Sequence, residues 1–290
     1  MKTAFFILNL IRLLPRPALL LLARALGCLA YWLVIPRRRV GLVNLRLCFP
    51  QLTDGERKKI LKKHFFHMAL LILEYGLCWY APAATIRRLV DVHDQHYLDE
   101  YLAQQRPVIL LYPHFTAFEL AVFALNQDLP LTSVYSHQKN PLLDEQILRG
   151  RHRYQNVFLV GRTEGLRSVV RRLRDCPDAP LLYLPDQDFG VQNSVFADFF
   201  SVPAATTTGL ARLARMTGAA VVPVVARRLP NGRAQLRFYP AWTDFPSENA
   251  PDDARRMNAF IEARVREMPE QYFWLHKRFK TRPQGESGVY

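Results

Sequence analysis

His114 and Glu119 stand five positions apart in the segment His114-Phe115-Thr116-Ala117-Phe118-Glu119. An imidazole can take a proton from a hydroxyl, and a neighbouring carboxylate can fix its tautomer and stabilise the imidazolium. Such a pair needs a rigid scaffold, and the flanking residues supply one. Val108-Ile109-Leu110-Leu111-Tyr112 is an apolar, β-favouring run that reads as a buried strand, closed by Pro113. Residues 117–125 read as the opening of a helix. His114 then lies on a strand-to-helix turn, and Glu119 in the first helical turn. That turn is at the carboxyl end of a strand, where ligands of parallel α/β sheets bind.

A second acidic turn points to the same edge. Leu184-Pro185-Asp186-Gln187-Asp188-Phe189-Gly190 follows a predicted buried strand at 181–184. Asp186 and Asp188 repel phosphate, so they read as turn-fixing groups or as acceptors for sugar hydroxyls. Arg151, in Leu148-Arg149-Gly150-Arg151-His152-Arg153, reads either as a bidentate phosphate or oxyanion ligand or as part of a solvated helix face. Thr206-Thr207-Thr208 reads equally as a helix cap and as a substrate contact. Trp274, Arg278 and Lys280 suit a membrane-interface anchor, and core packing suits Trp274 as well.

The elements around these residues alternate. Thr53-Asp54-Gly55-Glu56 is a capping-box pattern that opens a helix to about residue 79, basic in its first half and apolar in its second. A helix is predicted over 94–104, then strands at 108–112, 131–135, 157–160, 181–184, 219–226 and 234–239. Helices are predicted to about 126, near 142–153, and over 164–174, 206–217 and 252–268. The alternation predicts an α/β fold, a mostly parallel central sheet flanked by helices.

The N-terminus differs from the rest. Residues 4–14 are almost wholly apolar, Pro15-Arg16-Pro17 interrupts, and residues 18–35 are apolar again apart from Arg24. The second run approaches the ~20 residues needed to cross a bilayer. Arg12, Arg16 and Arg24 equally suit a helix lying in the interface with its arginines snorkelling. Arg37-Arg38-Arg39 would stay on the cytoplasmic side. The expectation is an uncleaved membrane anchor over 1–40 and a cytosol-facing domain over 41–290. Across 290 residues, 39 Lys and Arg face 25 Asp and Glu, a formal charge of +14. That surplus points to a polyanionic partner or a solvated basic face, and no nucleic-acid signature accompanies it. Cys28, Cys48, Cys78 and Cys176 show no CxxC spacing and read as reduced, buried thiols.

Taken together, the apolar N-terminus, the His-x4-Glu element, the Pro-Asp-Gln-Asp turn, the threonine run and Trp274-Leu275-His276-Lys277-Arg278-Phe279-Lys280 resemble the bacterial lipid A late acyltransferases, the lauroyl and myristoyl transferases. The resemblance covers nearly the whole chain. Glycerol-phosphate acyltransferases share the His-x4-Asp element but carry Phe-Pro-Glu-Gly where this chain has Pro-Asp-Gln-Asp. The family implies a glycerolipid-acyltransferase-like αβα fold at the cytoplasmic face of the bacterial inner membrane. It further implies transfer of a fatty acyl group from acyl carrier protein to a hydroxyl of (Kdo)2-lipid IVA. His114 would be the general base and Glu119 its orienting partner. Arg151, Asp186, Gln187, Thr206, Arg278 and Lys280 would be substrate contacts. A thioester is already activated, so neither metal nor cofactor is expected beyond the phosphopantetheine of acyl carrier protein. The partners are then that protein, the lipid A precursor and the anionic membrane. The alternatives are acylation of another glycolipid or aminolipid, and a non-catalytic lipid-binding protein.

Overall fold

Residues 2–154, 157–161 and 165–290 are described by a computed structural model. The chain opens with α1 (Lys2–Ile11), α2 (Arg16–Leu33), α3 (Ile35–Cys48), α4 (Asp54–Tyr80) and α5 (Ala83–Arg87). Then follow β1 (Val90–His93), α6 (His96–Ala103), β2 (Val108–Leu111), α7 (Phe118–Leu125), β3 (Leu131–Tyr135), α8 (Pro141–Arg151) and β4 (Val157–Gly161). The remainder is α9 (Gly165–Asp175), β5 (Leu181–Tyr183), β6 (Ser194–Phe199), β7 (Val202–Thr207), α10 (Gly209–Thr217), β8 (Ala220–Arg228), β9 (Ala234–Phe238) and α11 (Ala250–Glu267).

Seven strands form one sheet in the order β1-β9-β8-β2-β5-β3-β4. Every neighbouring pair is parallel except β8 and β9, so the expected mostly parallel sheet is present. β2 lies at its centre, and its four residues are all fully buried. Helices cover both faces, which is why β2 reads as a continuous apolar run and not as an alternation. Ile109 and Leu111 enter the core beneath α10 and α11, while Val108 and Leu110 enter the core beneath α7.

β6 and β7 form a separate antiparallel hairpin, and here the reading of 206–217 as one helix is corrected. Thr206 and Thr207 belong to β7, and the helix begins at Gly209. β-branched threonines pair with Val195 and Ser194 across the hairpin, and that pairing outweighs the local pattern. β1, β6 and α3 were not anticipated, and α3 runs across residues 40 and 41. The expected helix 164–174 is present from Gly165, and residue 164 lies outside the described residues.

The capping box at α4 is formed. Thr53 Oγ1 accepts from the Glu56 backbone N–H at 3.2 Å, and the Thr53 N–H donates to Glu56 Oε2 at 2.7 Å. The N-terminal helices pack on α4 through Ile11, Leu19, Ala23, Leu70 and Leu73. Gly27 lets α2 approach closely: a Cβ there would lie 2.6 Å from Phe66 Cα. The opposite side of α2 carries exposed Leu21, Leu29, Trp32 and Leu33. With mean hydropathy 1.3 over its 18 residues, α2 is long and apolar enough to cross a membrane. Cys48 and Cys78 are buried as expected, whereas Cys28 is exposed on α2 and Cys176 is half-buried.

Candidate active site

β2 and β5 are parallel neighbours, with Leu111 beside Tyr183, so the segments following them emerge side by side. One delivers His114 and the other Asp186. The Asp186 carboxylate receives two bonds from a single residue: Oδ1 lies 2.6 Å from His114 Nδ1, and Oδ2 accepts the His114 backbone N–H at 2.9 Å. Burial by itself pushes the Asp186 carboxyl up. The His114 imidazole and the bonds from the His114 ring and backbone more than offset this and hold it below its ordinary value. An ionised Asp186 accepts the Nδ1 proton, so Nε2 is the unprotonated ring nitrogen, its lone pair on the cavity side and open to the Gln187 amide N–H. The Gln187 amide sits 3.3 Å from Nε2.

The C-terminal segment braces this turn from behind. Thr116 N–H donates to Gln271 O at 2.9 Å, Phe273 N–H donates to His114 O at 3.0 Å, and Phe115 bridges Tyr272. Asp188 binds the same segment by accepting from the Thr281 N–H and hydroxyl at 2.7 and 2.8 Å. His276 accepts the Asp188 N–H at 2.9 Å, which requires a neutral ring. Burial, followed by the charge of Arg278, pushes its pKa down to about 4.

His114 faces a cavity of about 750 Å³, within the ~300–1,000 Å³ usual for ligand sites. Its walls are largely apolar and include Phe118, Val122, Phe123, Leu131, Val157 and Leu182. Glu119 and Arg151 also line it. Glu119 is in the first turn of α7, where the helix dipole favours a carboxylate. It accepts from the Tyr75 hydroxyl at 3.2 Å and from Arg151 at 3.4 Å. Arg151, in the last turn of α8, also lies over the Tyr135 ring.

Of the eight residues singled out from the sequence, His114, Glu119, Gln187 and Arg151 share this cavity, and Asp186 stands directly behind His114. The carboxylate on the imidazole is Asp186, and Glu119 holds Arg151 and Tyr75 instead. Helical geometry explains this: Glu119 projects from α7, while Nδ1 points across the sheet to the end of β5. Thr206, Arg278 and Lys280 line no part of the cavity. Thr206 is fully buried in β7, where its hydroxyl donates to Ala204 O. Arg278 is 3% exposed and donates to Ala205 O and Thr206 Oγ1, stitching the hairpin to the C-terminus. Trp274 is 1% exposed and packs on Phe49 and Tyr272, so it is a core residue. Tyr75 was missed, and a tyrosine inside a long helix 44 residues from Glu119 carries no sequence signal.

The sequence pattern of the family described as bacterial lipid A biosynthesis acyltransferase matches residues 3–281. The chain is 36% identical to the lipid A biosynthesis lauroyltransferase of Escherichia coli K12, over 98% of this chain and 92% of that one. It is 34% identical to the palmitoleoyltransferase of the same organism, over 96% and 90%, and 31% identical to the myristoyltransferase, over 87% and 78%. Among solved structures it is similar to the 1-acyl-sn-glycerophosphate acyltransferase of Thermotoga maritima. That match has a TM-score of 0.37 at 15% identity, covering 80% of this chain and 97% of that one, too distant a likeness to carry an argument. On the near full-length sequence match, the chain belongs to the bacterial lipid A biosynthesis acyltransferases.

Proposed function

We propose that this acyltransferase of lipid A biosynthesis moves a fatty acyl group from acyl carrier protein to a hydroxyl of (Kdo)2-lipid IVA, with His114 as general base. The observation that supports this reading best is the 2.6 Å contact between His114 Nδ1 and buried Asp186, which leaves Nε2 toward the cavity. The acceptor oxygen attacks the thioester carbonyl carbon while Nε2 takes its proton. The resulting oxyanion collapses, the C–S bond breaks, and the imidazolium returns the proton to the thiolate. Asp186 holds the tautomer throughout and stabilises the imidazolium. Among the described residues of the lining, Arg151 is the cation that suits the oxyanion or an acceptor phosphate. The apolar wall suits the acyl chain.

The apolar N-terminal helix suggests anchoring in the inner membrane. Arg37-Arg38-Arg39, near the start of α3, favours the cytoplasmic face, where acyl carrier protein is available. The deciding experiment uses membranes containing wild-type or His114→Ala protein, supplied with acyl carrier protein thioester and (Kdo)2-lipid IVA. Loss of transfer with normal membrane content is the expected outcome. Undiminished transfer by His114→Ala would overturn the proposed base.

A further inference from the structure

A second cavity of about 700 Å³ lies on the other side of the His114 turn. One face of α2 lines it at Leu20, Arg24, Cys28 and Trp32, the four-residue spacing of a single helical stripe. Lys62 and Lys63 of α4 face that stripe, and Arg227 and Arg228 at the end of β8 form the floor. Arg228 is 4% exposed and donates both to Glu74 and to Thr116 O, so the floor touches the turn that carries His114.

Its charges do not balance internally. Arg24, Lys62, Lys63 and Arg227 line the space, and among the described residues none of them has a carboxylate partner. Glu74, behind the floor, already serves two guanidinium groups, Arg16 at 2.6 Å and Arg228 at 2.7 Å. Of the two glutamates in the lining, Glu267 pairs with Arg264 at 2.8 Å, and Glu270, with no ion pair among the described residues, offsets only one of the four cations. Arg16 Nε and Nη1, Arg228 Nε and His67 Nδ1 are buried without a hydrogen-bond partner. Buried polar groups of this kind ordinarily find one. His67 is held neutral here: burial first, and then the neighbouring Arg228, His64 and Lys63, push its pKa down to about 3. The mouth lies against α2, whose outward side is exposed leucine and tryptophan.

From the cavity, its surplus of cations and its seat on an apolar helix, we infer that this is a second lipid site, which takes the phosphate group of a lipid headgroup beside α2. Lys62, Lys63, Arg24 and Arg227 hold the phosphate oxygens, and the acyl chains follow the exposed face of α2. Two sources share this chemistry: a phospholipid of the bilayer, or a phosphate of the acceptor lipid. The site does not depend on which residue is the catalytic base.

Calorimetry on the full-length protein in neutral detergent, with dihexanoyl phosphatidic acid as probe, tests the inference. Saturable binding is expected in wild type and in His114→Ala alike. In Arg24→Ala/Lys62→Ala/Arg227→Ala it should weaken about 100-fold, the scale of three cations near a lipid phosphate. Lys58→Ala/Lys59→Ala, on the exposed basic face of α4, should leave it unchanged. Should the triple variant fail to fold, Lys62→Glu, at an exposed helical position, carries the same comparison. Absence of saturable binding, loss in His114→Ala, or equal weakening by Lys58→Ala/Lys59→Ala would each overturn the site.

The source is separated by two further readings of the triple variant. Loss of phosphatidylglycerol-dependent sedimentation with vesicles, at unchanged acceptor KM, assigns the bilayer. Raised acceptor KM with unchanged sedimentation assigns the acceptor. If neither moves, the inference fails, whatever His114→Ala does to transfer.

Discussion

Two cavities of nearly equal volume flank the His114 turn, and they treat charge in opposite ways. In the one that contains His114, ionisable groups find partners within the protein: His114 with Asp186, and Glu119 with Arg151 and Tyr75. In the one beneath α2, Arg24, Lys62, Lys63 and Arg227 outnumber the lining glutamates Glu267 and Glu270, and among the described residues none of the four is ion-paired. An internal partner fixes a side chain in one geometry and protonation state, which is what proton transfer requires. Cations left unpaired at a mouth beside an apolar helix instead attract an anion from outside. One cavity is built to hold atoms still, the other to receive charge.

The largest effect should come from breaking the paired side. Asp186→Asn keeps the shape but removes the acceptor that sets the His114 tautomer. The kcat for acyl transfer should fall about 10²–10⁴-fold, the range of a general-base contribution. Near wild-type kcat in this variant would return the orienting role to Glu119.

Next is the buried ion pair that ties the floor of the cavity beneath α2 to α4. Glu74 and Arg228 side chains are each 1% exposed. Removing one partner leaves a buried charge, so Glu74→Ala should lose about 3–5 kcal/mol of stability by urea denaturation in detergent. An unchanged midpoint would mean that water reaches this pair and that the floor of that cavity is not dry.

A sharper question is what Glu119 does. Because it bonds Arg151 and not His114, Glu119→Gln and Arg151→Lys should act on one interaction. Their losses in kcat/KM should therefore fail to add, with a coupling of about 0.5–3 kcal/mol in a double-mutant cycle. Strict additivity would place Glu119 in a separate role.

The smallest effect is on pH dependence beneath α2. His64 is fully buried, and burial pushes its pKa from 6.5 down to about 4, against a bond to Glu270 O. Between those values the unfolded chain holds more protons than the folded one. Stability therefore rises with pH across that window and is lost as pH falls, by about 1.4 kcal/mol per pH unit for this one group. Urea midpoints at pH 7 and pH 5 should differ accordingly, and His64→Gln should remove that share. Equal midpoints in the wild type would mean that this region accepts protons freely.

Much of the fold was legible because its signals are local. The runs at 108–112, 131–135 and 181–184 are apolar strands between helical stretches, and Thr53 to Glu56 spells a cap that forms as written. The hairpin was not legible, since Thr206 and Thr207 become strand only by pairing with a partner 11 or more residues back. His114 was legible from its place after a buried strand. Asp186 was noticed as a turn residue, yet its contact with His114 spans 72 positions and arises only because β5 lies next to β2. The Trp274 to Lys280 segment illustrates the same limit. Its composition suits a membrane surface, but Trp274, Arg278 and Phe279 are buried supports of the hairpin and the His114 turn.

The sequence alone determined the family, the sheet-forming runs, the base candidate and the apolar N-terminus, because these rest on neighbours in the chain and on motif order. Tertiary structure alone decided which carboxylate meets the imidazole, which arginines face space and which are sealed inside, and that the cations of α2, α4 and β8 share one cavity. Those outcomes depend on strand order and helix packing. Both bring together residues that no spacing along the chain connects.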